Sequence, residues 1–203
     1  MIKNIIFDFG GVLVDWNPRY LYQKLFDSGK EMEDFLASIC TSDWNEQQDE
    51  GRSLADGTAA LIACYPDQAK LIEAYYSRWE EMLGGAIGET VSILRTLKNS
   101  GQYGLYGLTN WSAETFPIAL KRFDFFRLFD GIVVSGTEKM RKPNPDFFQL
   151  LLHRYDLIAQ DCLFIDDNQR NVDAAIQLGI PSIHFEHAEK LRETLRTKLE
   201  ISL

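Results

Sequence analysis

Polar side chains follow three short apolar runs of the sequence, and each of these runs predicts a buried strand. The polar residues are Asp8, Thr109, Asn110, Asp166 and Asp167. Because the carboxyl ends of parallel strands meet at one edge of a sheet, where ligands bind, we expect these side chains to lie together. A further candidate for this edge is Lys142, which precedes Pro143 at the entrance to a predicted helix.

These residue types are suited to the transfer of a phosphoryl group. Carboxylates from separate strands are ligands for Mg²⁺, which usually shares its coordination shell with phosphate and water. Asp8 can act both as a metal ligand and as the nucleophile that forms an aspartyl-phosphate. Thr109, Asn110 and backbone N–H groups can hold phosphoryl oxygens, and Lys142 supplies positive charge to the phosphoryl group and the carboxylates. Taken alone, Asp8 is equally well explained as a turn residue.

Strands and helices alternate in the second part of the sequence. The predicted strands are 5–7, 103–108, 131–134, 162–165 and 181–185. The predicted helices are 89–99, 112–123, 144–155, 170–178 and a last one from Ala188 onward. This alternation predicts an α/β fold with a parallel sheet and helices on both of its faces.

The region between the first strand and residue 86 has a different character. Apolar and aromatic residues recur at helical spacing, and no strand is predicted from Asn17 to Leu83. Predicted helices cover residues 18–28, 30–40, 44–49, 53–65 and 66–83. The glycine-rich residues 84–88 are predicted to be a hinge or return linker. We therefore expect a core formed by residues 1–15 and 86–203 and a helical cap formed by residues 16–85.

Composition excludes several kinds of partner. The 203 residues carry a formal net charge of −9, which argues against binding to nucleic acid or to an anionic membrane. An anionic substrate would need a metal ion or a few well-placed cations. No apolar stretch is long enough to cross a bilayer and no signal-peptide pattern is present, so we expect a cytoplasmic protein. Cys40, Cys64 and Cys162 show no metal-binding spacing and are expected to be free thiols.

Over essentially its whole length, the chain resembles the haloacid dehalogenase-like hydrolase superfamily. Four motifs carry the resemblance, and they appear in the family's order. They are Ile5-Ile6-Phe7-Asp8-Phe9-Gly10-Gly11-Val12-Leu13, Gly107-Leu108-Thr109-Asn110, Arg141-Lys142-Pro143 and Phe164-Ile165-Asp166-Asp167. The resemblance implies a Rossmann-like core, a small all-helical cap inserted after the first motif, and a Mg²⁺-dependent phosphohydrolase that acts on a small phosphate ester. The sequence leaves the choice between a monomer and a homodimer open.

The resemblance also implies a role for each motif residue. Asp8 would be the nucleophile. The metal ligands would be Asp8, the backbone carbonyl of Gly10, Asp167 and, directly or through water, Asp166. The phosphoryl group would be bound by Thr109, Asn110 and Lys142.

Gly10 departs from the pattern of most phosphatases that this sequence resembles. They carry a second Asp two residues after the nucleophile, which protonates the leaving group and then activates water. General acid–base catalysis of this kind is worth about 10²–10⁴-fold. Another group or water can substitute if the leaving group is good, and this favours a sugar phosphate such as a hexose 1-phosphate. The alternatives are a metal-independent 2-haloacid dehalogenase, against which Asp166 and Asp167 argue, and a catalytically weak binding or regulatory module.

Several polar residues near the motifs have two plausible roles. Asp15 is predicted to be a solvent-facing turn residue, with an approach to the leaving group as the alternative, and Arg19 is predicted to be solvated rather than in the cleft. Trp111 is predicted to pack in the core, with a place in the pocket wall as the alternative. His184 is predicted to be a packing or surface residue. Asn171 either bonds back to the fourth motif or is solvated.

Overall fold

A parallel β-sheet forms the centre of the molecule in the computed structural model, which describes residues 1–199. Within this range the sheet has five strands in the order β5-β4-β1-β6-β7. The strands are β1 (Asn4–Phe7), β4 (Gly104–Thr109), β5 (Gly131–Val134), β6 (Cys162–Asp166) and β7 (Ser182–His184). The predicted parallel sheet is thus confirmed, with β1 in its middle.

Helices cover both faces of the sheet, as the sequence predicts. They are α6 (Gly88–Ser100), α7 (Phe116–Arg122), α8 (Ser135–Glu138), α9 (Pro145–Arg154), α10 (Gln169–Gln177) and α11 (Ala188–Leu199). Ile5 and Phe7 of β1 pack in a cluster with buried residues of α6 and α11, while Ile6 packs in another with residues of α9 and α10. This alternation follows from the two-residue period of a strand that is buried on both sides.

The register of the sheet brings the motif residues to one edge. Phe7 is aligned with Gly107 of β4 and with Ile165 of β6, and all three strands run in the same direction. The residues that follow these three therefore leave the sheet at nearly the same level. Asp8 in particular follows β1 directly, between the ends of its two neighbouring strands.

The helical insertion is attached through a two-stranded antiparallel ribbon. Its strands are β2 (Val14–Trp16) and β3 (Leu83–Ala86), so the predicted linker at residues 84–88 is wrong and a strand begins at Leu83. This strand is not predicted from the sequence because Gly84 lies within it, and glycine is depleted in strands in general. Here it is needed, since a Cβ on Gly84 would lie 2.2 Å from the Asp15 carboxylate.

The insertion between β2 and β3 consists of short helices and 3₁₀ turns. The α-helices are α1 (Arg19–Tyr22), α2 (Gly29–Ser38), α3 (Ser42–Asp49), α4 (Leu54–Cys64) and α5 (Ala69–Ser77). The 3₁₀ segments of the whole chain are Pro66–Gln68, Trp79–Met82, Asp124–Leu128 and Ala159–Asp161. Buried aromatic residues form the centre of the insertion, with ring centroids of Trp44 and Tyr75 5.0 Å apart.

Three predicted helices are shorter than expected. The helix predicted over 66–83 is α-helical only in α5 (Ala69–Ser77), with 3₁₀ segments on either side. The first helix of the insertion ends at Tyr22 instead of near Ser28, which instead caps α2 by accepting a hydrogen bond from the backbone N–H of Glu31. In the core, α7 begins at Phe116 instead of Ser112, because the Ser112 hydroxyl accepts from the backbone N–H of Glu114 and stabilises a turn there. None of the helices described within residues 1–199 is both long and apolar enough to cross a membrane.

Close packing behind the first motif predicts that β4 does not tolerate a side chain at Gly107. A Cβ at this position would lie 2.2 Å from the ring of Phe9, which is fully buried. We expect Gly107→Ala to lower the free energy of unfolding by about 1–3 kcal/mol, the usual cost of overpacking a core. Urea denaturation followed by circular dichroism measures this. Gly88→Ala is the matched control, since its Cβ meets no described atom within 4 Å, and equal stability of the two variants would contradict the prediction.

Candidate active site

Carboxylates from two adjacent strands converge at the edge of the sheet. Asp8 follows β1, Asp166 ends β6 and Asp167 comes next, and oxygen atoms of the three all lie within 4.8 Å of one another. Asp8 and Asp166 are buried, whereas Asp167 is exposed. The sequence therefore predicted this cluster correctly, including its origin on separate strands.

Lys142 occupies the buried side of the cluster. Its ammonium group lies 2.9 Å from Asp8 Oδ1 and 2.7 Å from Asp166 Oδ2, and its side chain is fully buried. Its Nζ also donates a hydrogen bond of 2.7 Å to the carbonyl oxygen of Leu108. All three donors of the ammonium group thus have a partner. Burial alone would lower the pKa of Lys142, but the charges of Asp166 and Asp8 outweigh it and hold that pKa above its ordinary value.

The cluster fits a divalent metal ion. Burial raises the pKa of Asp8, and the charges of Asp166 and Asp167 raise it further, although Lys142 acts in the opposite direction. One lysine therefore does not balance the three carboxylates. A hard divalent cation with oxygen ligands would supply the remaining charge and make ionisation of Asp8 favourable.

The two consecutive aspartates have different surroundings. Both oxygens of Asp166 already accept hydrogen bonds, from the backbone N–H of Asn168 and the amide of Asn171 in addition to Lys142. Asn171 therefore does bond back to the fourth motif. These donors suit Asp166 to an outer position, one water removed from a metal ion, and leave the exposed Asp167 as the better candidate for a direct ligand.

Asp167 is held in place by two residues of different elements. Its carboxylate lies against Gly11, where a Cβ would be 2.2 Å from Oδ2, and the positive φ of 72° at Gly11 also suits glycine. The backbone carbonyl of Asp167 is 2.9 Å from His184 Nε2. Sequence reasoning missed this contact of His184. Its position at the end of β7, on the same edge of the sheet, was the available signal.

Thr109 and Asn110 have different roles in the structure. The Thr109 hydroxyl is buried and has no hydrogen-bond partner within residues 1–199, so it can donate to a phosphoryl oxygen. The side chain of Asn110 instead accepts from the backbone N–H of Lys142 at 2.8 Å and donates to its carbonyl at 2.9 Å. The amide of Asn110 thus positions Lys142, and phosphoryl binding by Asn110 remains a prediction, for which its backbone N–H is left.

A cavity opens beside the cluster, between the core and the helical insertion, with about 470 Å³ of empty space when the open solvent at its mouth is included. Its lining residues are Gly10, Trp16, Asn45, Asp49, Tyr76, Trp79, Asn110, Trp111, Ser112 and Thr115. The rings of Trp79 and Trp111 lie in contact at an interplanar angle of 58°, with centroids 5.8 Å apart. The indole N–H of Trp16 is buried without an acceptor among the described residues. Trp111 therefore lines the pocket, which was the alternative to simple core packing.

Asp15 and Arg19 are committed to other partners. Asp15 lies in β2, not in a turn, and accepts a 2.7 Å hydrogen bond from the Tyr20 hydroxyl. The guanidinium group of Arg19 forms two hydrogen bonds of 2.6 Å with Glu33 on α2. The structure thus gives the charged groups of Asp15 and Arg19 partners in the ribbon and the insertion.

Asp49 is a cavity residue that sequence reasoning missed. It ends α3, and its Oδ2 accepts a 2.8 Å hydrogen bond from the Asn45 amide one helical turn earlier. The spacing of Asn45 and Asp49 on one face of a helix was the only signal in the sequence, because nothing there indicates that this face meets the core. Gly10 lines the same cavity, and a Cβ at Gly10 would meet no described atom within 4 Å.

Comparison with known proteins identifies the family. The sequence model of the haloacid dehalogenase-like hydrolase family matches residues 2–179 of this chain. The chain is 31% identical to a sesquiterpene phosphatase of Aspergillus oryzae over 98% of this chain and 94% of that protein. It is 24% identical to D-ribitol-5-phosphate phosphatase of Bacteroides thetaiotaomicron, over 96% and 97% of the two chains.

A solved structure has the same fold. It is a HAD family enzyme of Bacteroides thetaiotaomicron in complex with magnesium and inorganic phosphate. The TM-score is 0.69 at 22% sequence identity, over 92% of this chain and 96% of that chain. The predicted Rossmann-like α/β core is confirmed by this similarity and by the sheet itself. By its four motifs, its fold and its match to the family model, the chain belongs to the haloacid dehalogenase-like hydrolase family.

Proposed function

We propose that the protein is a Mg²⁺-dependent phosphatase that hydrolyses a small organic phosphate monoester through an aspartyl-phosphate on Asp8. The observation that carries the proposal is the arrangement of Asp8, Asp166, Asp167 and Lys142 at the end of the central strand. Further support comes from two relatives that are phosphatases by name, and from the HAD family enzyme that was crystallised with magnesium and inorganic phosphate.

Each group of the cluster has a part in this chemistry. One oxygen of Asp8 is held by Lys142 and by the backbone N–H of Phe9, at 2.9 and 2.7 Å, which orients the other oxygen for attack on phosphorus. Lys142 stabilises negative charge on the phosphoryl oxygens, and the unpaired hydroxyl of Thr109 donates a hydrogen bond to one of them. Asp8, Asp167 and the Gly10 carbonyl would hold Mg²⁺ directly and Asp166 through water, and the ion would supply Lewis-acid stabilisation of the phosphoryl oxygens.

The domain arrangement and cellular setting form part of the same proposal. Residues 1–15 and 86–203 are the hydrolase core, and residues 16–85 are a cap that covers the cleft and limits the size of the substrate. The ribbon of β2 and β3 crosses both boundaries between them. We also propose a cytoplasmic protein that acts as a monomer or homodimer on a small molecule, not on nucleic acid or a membrane.

The identity of the organic group has two candidates. A sugar phosphate such as a hexose 1-phosphate is the first. An anomeric oxygen leaves more easily than an ordinary alkoxide, so it depends less on the carboxylic acid that is missing at Gly10. The cavity lining favours an isoprenoid monophosphate as the second. Trp16, Tyr76, Trp79 and Trp111 give it an aromatic wall, and the Asn45 amide is already used by Tyr76 and Asp49. The relative that is a sesquiterpene phosphatase supports the second candidate.

Phosphate release from p-nitrophenyl phosphate tests the proposed activity. We expect turnover that requires Mg²⁺, is abolished by EDTA and falls at least about 10³-fold in Asp8→Asn, since the nucleophile is lost. Asp173→Asn is the matched control, because this exposed carboxylate on α10 bonds only to Gln169 among the described residues. Chloride release from 2-chloropropionate without metal would instead identify a dehalogenase, and inactivity in both assays would indicate a binding module.

Removal of the buried ammonium group should damage both folding and activity. Lys142→Met leaves Asp8 and Asp166 facing each other without a cation, and breaking a buried ion pair in this way costs about 3–5 kcal/mol. We expect a correspondingly lower free energy of unfolding in urea, together with loss of phosphate release. Lys121→Met, at an exposed position of α7, should match the unmodified protein in both measurements. Normal stability of Lys142→Met would contradict the role of Lys142 as the counterion of the cluster.

Steady-state kinetics on glucose 1-phosphate and farnesyl monophosphate separate the two substrate classes. The aromatic cavity predicts a kcat/KM for farnesyl monophosphate at least about tenfold higher, because burying part of an isoprenoid chain is worth several times 0.8 kcal/mol. In Trp79→Ala we expect a higher KM for the isoprenoid and little change for p-nitrophenyl phosphate. A preference for the sugar phosphate would return the assignment to the first candidate.

A further inference from the structure

The first motif lacks an acid–base group where most phosphatases of this type carry one. An alkoxide leaving group needs a proton, and Gly10 has none to give. The wall of the cavity offers one carboxylic acid, Asp49, among its described lining residues. It comes from α3 of the insertion, and it lines the same space as Gly10, next to the phosphoryl site.

Hydrogen bonds fix the orientation of the Asp49 side chain. The Asn45 amide donates to Asp49 Oδ2 at 2.8 Å, and the Tyr76 hydroxyl donates to Asn45 Oδ1 at 3.0 Å. The hydroxyl in turn accepts from the amide of Gln48 at 3.0 Å, and Gln48 is fully buried. This chain of contacts ties down one oxygen of Asp49. The residue itself lines the cavity.

Contacts with the core hold α3 over the cleft. Arg141, next to Lys142, forms ion pairs with Glu46 at 2.9 Å and with Glu50 at 3.3 Å. Arg170 of α10 reaches Glu46 as well, at 3.2 Å. The Ser135 hydroxyl at the start of α8 donates a hydrogen bond to the backbone carbonyl of Asp49. The position of α3, and with it that of Asp49, is therefore fixed by contacts with the core.

The surroundings of Asp49 suit proton transfer at neutral pH. Burial raises the pKa of its carboxyl group to about 7, and the charge of Glu46 also raises it. The backbone N–H of Ser112, the charge of Arg141 and the amide of Asn45 act in the opposite direction. Both protonation states are thus accessible near pH 7, which is the condition for a group that first gives and then takes a proton.

We propose that Asp49 is the general acid–base of the reaction and takes the place of the carboxylate that is missing at Gly10. This rests on the proposed phosphatase function. As an oxygen of Asp8 bonds to phosphorus, the bond from phosphorus to the leaving oxygen breaks, and that oxygen takes the proton of Asp49 to become an alcohol. Water then attacks phosphorus and gives a proton to the Asp49 carboxylate, while the bond to Asp8 breaks and releases inorganic phosphate.

Leaving-group dependence tests the proposal. Asp49→Asn should reduce kcat/KM by about 10²–10⁴-fold for the better of the two alkyl substrates, glucose 1-phosphate or farnesyl monophosphate. It should change kcat/KM for p-nitrophenyl phosphate less than tenfold, since nitrophenolate leaves without a proton. That residual activity also shows whether the variant is folded. Asp43→Asn removes an exposed carboxylate from the same helix and should leave both substrates unaffected.

Restoring a carboxylate at position 10 provides the second arm. Because the Cβ of a residue at Gly10 would meet no described atom within 4 Å, Gly10→Asp should be accommodated. We expect kcat/KM for the alkyl phosphate to be at least about tenfold higher in the double variant Gly10→Asp, Asp49→Asn than in Asp49→Asn alone.

The pH dependence of the reaction provides a third arm. In the unmodified protein we expect kcat/KM for the alkyl phosphate to fall above about pH 7, where Asp49 loses its proton. This fall should be absent in Asp49→Asn.

Failure of the inference and failure of the proposed function give different results. If the unmodified protein releases no phosphate from any substrate, the phosphatase proposal itself is wrong and the inference falls with it. If the unmodified protein is active and Asp49→Asn lowers aryl and alkyl substrates equally, Asp49 has a structural role and only the inference is overturned. Unchanged activity on both substrates would overturn it as well.

Discussion

The site depends on the ion pairs that the buried ammonium group of Lys142 forms with Asp8 and Asp166. Placing Asp8 and Asp166 side by side beneath the sheet edge would be strongly unfavourable without a cation between them. Lys142 provides that cation at 2.9 and 2.7 Å, and its third donor bonds to the carbonyl oxygen of Leu108 in β4. A single side chain therefore links β1, β4 and β6, the three central strands of the sheet.

The loop that carries Lys142 is itself fixed by the second motif. The Asn110 side chain holds both the N–H and the carbonyl of Lys142. In this way Asn110 positions the lysine without touching the carboxylates. The next residue towards the N-terminus, Arg141, faces outward and forms ion pairs with α3 of the insertion. The third motif thus connects the interior of the core to the helices above it.

This connection gives the cavity its composition. The core contributes Gly10, which offers a backbone and open space, while the insertion contributes Asp49 and two of the aromatic residues, Tyr76 and Trp79. The walls of the cavity are therefore supplied by different parts of the chain.

The sequence by itself determined the parallel sheet, the order of the motifs along the chain and the identity of the residues in the carboxylate cluster. Runs of apolar residues that end in Asp8 and Asp166 are buried strands for a local reason, and parallel strands bring their carboxyl ends together in any such fold. The helical character of residues 17–82 also follows from periodicity alone. Boundaries were less predictable at Ser112 and Gly84, where a side-chain turn and a close approach of Asp15 override local preference.

Only the tertiary structure decided which residues meet across elements far apart in the chain. Asp49 and Gly10 share a cavity because α3 docks on the core, and the side chain of Asn110 bonds to the backbone of Lys142. His184 reaches the carbonyl of Asp167 for the same reason. Periodicity reports which face of a helix is apolar but carries no information on what that face packs against. The carboxylate cluster could therefore be identified from local motifs, whereas the cavity wall that the insertion contributes required the folded chain.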